Sequence, residues 1–117
     1  MVYMVLALLF LKHLIFDFIW QTQSEVENKG KYGNLKGLKH SVKHMLGSVV
    51  ILTIFTPLGL LFAFLDLVIH YHVDWVKKNY GEQDPTKPSF WRDLGLDQFA
   101  HYLTYLGLAW LAMKYKW

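Results

Sequence analysis

Four times along this chain, two side chains able to bind a metal or move a proton stand four residues apart: His13 with Asp17, His40 with His44, His70 with Asp74, and Asp97 with His101. On an α-helix that interval stacks both groups on one face, about 6 Å apart. Five of the six histidines are used in this way. Imidazole nitrogens together with carboxylates suit zinc, iron or manganese, and with no cysteine in the chain a metal site here has nitrogen and oxygen ligands. Eight candidate ligands exceed the needs of one tetrahedral ion. The expected cofactor is therefore a divalent transition metal (zinc, manganese or iron), present as two ions. Its ligands are drawn from His13, Asp17, His40, His44, His70, Asp74, Asp97 and His101, with a member or two left to orient the others or to act as a general base.

Neighbours on the same faces extend the constellation. Gln21 follows Asp17 by four, Lys77 follows Asp74 by three, and Gln98 adjoins Asp97. Lys77 is expected to neutralise a carboxylate or to hold an anionic group of a substrate, the plain alternative being an interfacial lysine that snorkels. Asp17, Asp74, Asp97, Lys77 and Gln98 thus form the candidate catalytic set. Asp66 precedes His70 by four and would lengthen the polar column, while Lys12 either pairs with the site or points elsewhere. His72 lies two residues off the His70 face and is left outside.

The elements that must carry these pairs are apolar on nearly every face. The 117 residues are 54% hydrophobic and 17% aromatic, and four runs, 2–21, 39–56, 58–80 and 91–113, each approach the roughly 20 residues that span a bilayer core of about 30 Å. Apolar residues around the whole circumference are what lipid-solvated helices need. The first run resembles a signal peptide in length, yet it lacks a basic start and a small-residue cleavage site and holds Lys12, His13 and Asp17, so it is read as a retained helix. The expected fold is all-α: a single integral membrane domain over 1–117, a four-helix transmembrane bundle of two hairpins with its termini on the outer side.

Pro57 and Gly59 mark a tight turn between the second and third runs, whereas 22–38 and 81–90 read as longer polar loops rich in Gly, Asn and Pro. Both long loops fall on one side. Nine basic residues, from Lys29 to Arg92, lie there, against Lys114 and Lys116 on the other, so the long loops are expected in the cytoplasm of a bacterium, with the chain multi-pass in its inner membrane. Counting a rise of 1.5 Å per residue places His13, His44, His70 and His101 in one layer about 18–20 Å from the outer surface, with Asp17, His40, Asp74 and Asp97 about 6 Å nearer the cytoplasm. Ionisable groups inside a bilayer are costly unless paired or coordinated, which makes them functional by default.

With HLIFDFIWQTQSEVENKGK at His13–Lys31, LKHSVKH at Leu38–His44, HYHVDWVK at His70–Lys77 and DQFAH at Asp97–His101, the sequence resembles a family of small bacterial and phage membrane proteins carrying only a domain-of-unknown-function label. The likeness covers nearly the whole chain and implies a shared HxxxD, HxxxH, HxxxD and DQxxH constellation on a membrane bundle. The pattern is also loosely similar to bacterial inner-membrane metal-dependent hydrolases. No glycine-rich phosphate loop, HExxH signature or nucleophile with a base partner can be read.

Two function classes compete. The first is a membrane-embedded, dinuclear metal-dependent hydrolase acting on a lipid or phosphate-bearing amphiphile at the cytoplasmic leaflet. The alternative is a divalent metal or proton transporter or channel, since rows of His and Asp inside a bundle also describe an ion path; the apolar outer halves of the helices, such as Met4–Leu11 and Met45–Ile54, argue against it. A haem protein would leave the aspartates unexplained. The expected partners are membrane lipid, an anionic or phosphate-bearing substrate and a second copy of the chain, with no nucleic acid.

Overall fold

A computed structural model describes residues 1–117. The chain is entirely helical: α1 (Val2–Leu14) runs into a π-helical turn (Ile15–Ile19), followed by α2 (Gln23–Asn28), α3 (Leu35–Phe55), α4 (Gly59–Tyr80) and α5 (Pro88–Lys114). α1, α3, α4 and α5 close a ring in which α3 packs on α1 and α4, and α5 on α4 and α1. The four predicted runs thus correspond to four long helices. Two helical stretches, Val2–Ile19 and Gly59–Tyr80, are long and apolar enough to cross a membrane; α3 and α5 carry charged residues through their first halves.

Helix ends follow local chemistry. Asn34 accepts hydrogen bonds from the backbone amides of Lys36 and Gly37, which starts α3 four residues before the predicted 39. Pro88, whose missing amide costs nothing in a first turn, starts α5 before the predicted 91. The segment 22–38, expected as loop throughout, contains α2, because Thr22 and Glu25 form a reciprocal capping box. α2 then lies tightly along α3: a Cβ at Gly37 would run into the carbonyl of Asn28. Gly37→Ala should therefore push α2 off α3 and lower stability by about 1–3 kcal/mol, the usual cost of overpacking. Thermal unfolding in detergent, with proteolysis at 23–34 as the local readout, would measure it, and an unchanged melting point would rule out the close approach.

The interior divides into two zones. At the end holding the α3–α4 turn, Val5, Leu9, Leu52, Phe55, Phe62, Leu108, Ala109 and Ala112 form an apolar core. The C-terminal segment folds over this end, where the Thr56 hydroxyl donates to the Tyr115 carbonyl and the Trp117 amide to that of Phe55. Towards the two longer connections the interior turns polar. At the border, Lys12 Nζ is 2.7 Å from Asp66 Oδ2, 3.0 Å from Ser48 Oγ and 4.7 Å from the centre of the Tyr105 ring. Lys12 and Asp66, whose places were left open by the sequence, pair with each other through Asp66 Oδ2, while Asp66 Oδ1 is buried without a partner.

Candidate metal centre

Every helical segment contributes to one buried cluster. α1 brings His13, the π turn Asp17, α2 Glu25, α3 His40 and His44, α4 His70 and Asp74, and α5 Asp97, Gln98 and His101. A π turn adds a residue to the helical circuit and is often found where a side chain must be re-aimed; here the Trp20 amide bonds back to the Ile15 carbonyl, and the widened turn holds Asp17 at the centre. His13, His40, His44, His70 and His101 are all at most 1% exposed.

The two predicted layers do not stay apart. Asp17 Oδ1 lies 2.9 Å from Nε2 of both His40 and His44 and 3.7 Å from Nε2 of His70, while the His40 and His70 Nε2 atoms are 3.2 Å apart. Four ligands about 2.0–2.1 Å from a tetrahedral ion lie about 3.3 Å from one another, and these atoms have that spacing. Asp17, His40, His44 and His70 form one group that could hold a metal ion. A second group consists of His70, Asp74 and His101, with Asp74 Oδ1 3.1 Å from His101 Nε2 and Asp74 Oδ2 3.1 Å from His70 Nε2.

Three features fit a cation better than a hydrogen-bonded core. Asp74 Oδ2 has ring nitrogens at 3.1 and 3.4 Å yet no hydrogen bond. Buried polar atoms in a closed network are normally paired; Asp74 Oδ2 is left over even though His44 Nε2 bonds Asp17, His40 and His70 share a contact between their Nε2 atoms, and His101 Nε2 bonds Asp74 Oδ1, and such an orphaned oxygen suits a ligand. Against the buried carboxylates of Asp17, Asp74 and Asp97 stands one lysine contact, Lys29 Nζ at 3.5 Å from Asp74. Balancing them with imidazolium ions would set cations face to face, because His70 stacks on His44 at 3.8 Å and on His101 at 4.2 Å between ring centres. Finally, His40 turns Nε2 inward while its Nδ1 lies 3.4 Å from the Glu25 carboxylate, close to it though not hydrogen-bonded, on the side where metal-bound histidines commonly have an outer partner.

Not every predicted ligand joins these groups. His13 spends both ring nitrogens elsewhere, Nδ1 with the Tyr105 hydroxyl at 2.8 Å and Nε2 with Gln98 Oε1 at 2.7 Å, and Nε2 is also 3.2 Å from Asp17. It steadies Asp17 and Gln98. Asp97 sits at the edge, its Oδ1 3.5 Å from His101 and its Oδ2 accepting a hydrogen bond from Gln98. Gln98 thereby ties His13 to Asp97. Gln21 donates to the Asp17 carbonyl and supports the π turn. His72 is exposed and bonded to Tyr32 and the Val68 carbonyl, outside the cluster as expected.

Glu25, Lys29 and Tyr105 were missed. Glu25 is 1% exposed and bound by Lys43; burial pushes its carboxyl up, but the hydrogen bond and charge of Lys43 outweigh this and hold it below its usual range. Its signal was the T-x-x-E pattern at Thr22, while Tyr105, four residues after His101, repeated the spacing of the pairs. Beside the cluster lies a pocket of about 70 Å³ lined by Asp17, Gln21, Lys29, Lys77, Asp97 and Gln98, among others, room for a few waters. Lys77 is half-buried there with no acidic partner.

The family described as Protein of unknown function (DUF3307) matches residues 5–116. No curated protein and no solved structure matches the chain. The chain belongs to the DUF3307 family.

Proposed function

Starting from that membership, which names no activity, we propose that this protein is a membrane-embedded, dinuclear metal-dependent hydrolase acting on a lipid or phosphate-bearing amphiphile at the cytoplasmic leaflet of a bacterial inner membrane. In this reading all four long helices span the bilayer. Large apolar side chains exposed around the ring, among them Phe10, Val50, Ile54, Phe64, Leu106 and Trp110, support it, since such a surface needs lipid to cover it.

The observation that carries the catalytic part is the pairing of a ligand cluster with a small wet opening that holds an uncommitted cation. His40, His44, His70 and His101, with Asp17 and Asp74, would hold the metals. His70 belongs to both groups, and the carboxylates of Asp17 and Asp74 would supply the negative charge that divalent ions need there. A two-metal centre supplies water acidified toward neutral pH and a Lewis acid for an ester or phosphoryl oxygen. The chain's own groups then have separate tasks. Asp97, at the mouth of the pocket, is the candidate base, Gln98 fixes it, and Lys77 binds the anionic part of the substrate.

The transporter reading draws on Lys12 and Asp66, which carry polar groups one step past the cluster. Beyond them Val5, Leu9, Leu52 and Phe62 close the interior, which favours a dead end over a path. Reconstituted protein tested for metal-dependent hydrolysis of lipid phosphates, and in the same vesicles for metal or proton flux, separates the two. Turnover abolished by Asp74→Asn and by Asp97→Asn, with His72→Ala close to wild type, is expected. Flux without turnover, lost in the same aspartate variants, would transfer the site to transport.

A further inference from the structure

Outside the ring, between α4 and α5, runs a groove of about 680 Å³, within the roughly 300–1,000 Å³ range of pockets that take one small ligand. Its walls come from Ile69, Val73 and Val76 on α4 and from Leu96 and Ala100 on α5, residues three or four apart that present one apolar face of each helix. Along α4 the lining extends from Val68 to Tyr80, about 18 Å at 1.5 Å per residue, close to the roughly 15 Å of hydrocarbon in a single leaflet. One end is polar: Lys77, Arg92 and Asp93 line it.

Two details separate this groove from an ordinary lipid-facing furrow. Lys77 and Asp97 line both the groove and the small pocket that opens on the metal cluster, so the two cavities share a wall made of candidate catalytic groups. The charges at the polar end are also unequal. Asp93 and Arg92 engage each other, with Arg92 Nη2 and Nε 2.9 and 3.0 Å from Asp93 Oδ1, and Asp93 Oδ2 accepts a hydrogen bond from the Glu82 amide, which leaves the exposed Arg92 its Nη1 donors and Lys77, half-buried without an ion pair, as the unmatched charge. A guanidinium with free donors and a half-buried ammonium, set at the end of an apolar slot one leaflet long, complement a phosphate carried on an acyl chain.

We infer that the α4–α5 groove is the seat of an anionic phospholipid, its acyl chain lying between Ile69, Val73 and Ala100 and its phosphate held by Lys77 and Arg92 beside Asp97. This rests on the hydrolase reading for its purpose and names the substrate class, a lipid presenting a phosphate mono- or diester. Lateral entry follows from it. A lipid in this groove comes to the site from within the bilayer, and the aqueous pocket near Lys29 is left free for water.

Photocrosslinking tests the seat without requiring turnover. A benzophenone amino acid replaces Val73, on the groove wall, or Val50, on the far lipid-facing surface, in protein reconstituted into phosphatidylcholine vesicles containing a few mole per cent of labelled phosphatidate. Capture from position 73 is expected to exceed the bilayer share of phosphatidate roughly thirtyfold, the scale of attraction that two basic residues give, with capture from position 50 at the bulk share. K77Q combined with R92Q should bring position 73 down to the bulk share, whereas K114Q with K116Q should change nothing. Capture at the bulk share from position 73, or enrichment that survives K77Q with R92Q, overturns the inference. Enrichment with no hydrolysis of the captured lipid upholds the groove and sinks the hydrolase, while hydrolysis without enrichment does the reverse.

Discussion

Asp74→Asn is expected to weaken transition-metal binding by more than about 100-fold, and Asp17→Asn by a similar factor. Replacing outer partners of metal ligands already costs about 10–100-fold, and these two carboxylates touch the inward ring nitrogens directly. Asp17 Oδ1 is within 2.9 Å of two histidines, and Asp74 faces His70 with one oxygen and His101 with the other. Asparagine keeps the shape and removes the charge, so the packing of the helices should survive. His13→Gln, by contrast, removes a residue whose two nitrogens already serve Tyr105 and Gln98, and its loss should stay near tenfold. Elemental analysis after dialysis against metal buffer gives the ranking, with circular dichroism as the check on fold. Full metal content in Asp74→Asn would end the case for the centre; equal losses in Asp74→Asn and His13→Gln would remove the distinction between ligand and support.

Lys12→Met should destabilise the protein by about 3–5 kcal/mol, the cost of leaving one member of a buried ion pair without its partner. Lys12 is 3% exposed and Asp66 0%, and without the ammonium only the Ser48 hydroxyl remains to bond the Asp66 carboxylate. Replacing both residues with apolar ones, Lys12→Met with Asp66→Leu, removes the uncompensated charge and should recover most of the loss, as buried pairs often exchange for hydrophobic residues at little cost. Unfolding in detergent by added dodecyl sulfate measures all three proteins. A single variant within 1 kcal/mol of wild type would mean that water reaches the pair.

The buried His/Asp cluster was legible because the i, i+4 interval is a property of the helix itself: His40 with His44 and His70 with Asp74 face inward together wherever the axes lie. Distances between helices are not encoded that way. Depth counting put His13 and Asp97 on equal terms with their neighbours, but Tyr105 and Gln98 compete for His13, and Asp97 is displaced to the mouth. Loop composition misled at 22–38, where glycine and asparagine hid a capping box strong enough to start α2 and deliver Glu25 and Lys29. Lys12 and Asp66 stood out as anomalies one at a time. Their pairing depended on which faces of α1 and α4 meet, a matter of crossing geometry that no periodicity states.

If α1 and α4 span a bilayer, as proposed, the Lys12–Asp66 pair also has a history within each molecule's synthesis. The partners are 54 residues apart in sequence, so at about 5–20 residues per second a nascent chain carries Lys12 for roughly 3–11 s before the ribosome has made Asp66. A lone lysine at mid-helix costs about 2.5–3.5 kcal/mol on release from the translocon into lipid, and an aspartate in α4 meets a comparable penalty. If α1 waits at the translocon or a chaperone for α4, both enter neutralised. The order of release of the helices would then be set by the ion pair, with α1 committed to the bilayer only when α4 arrives.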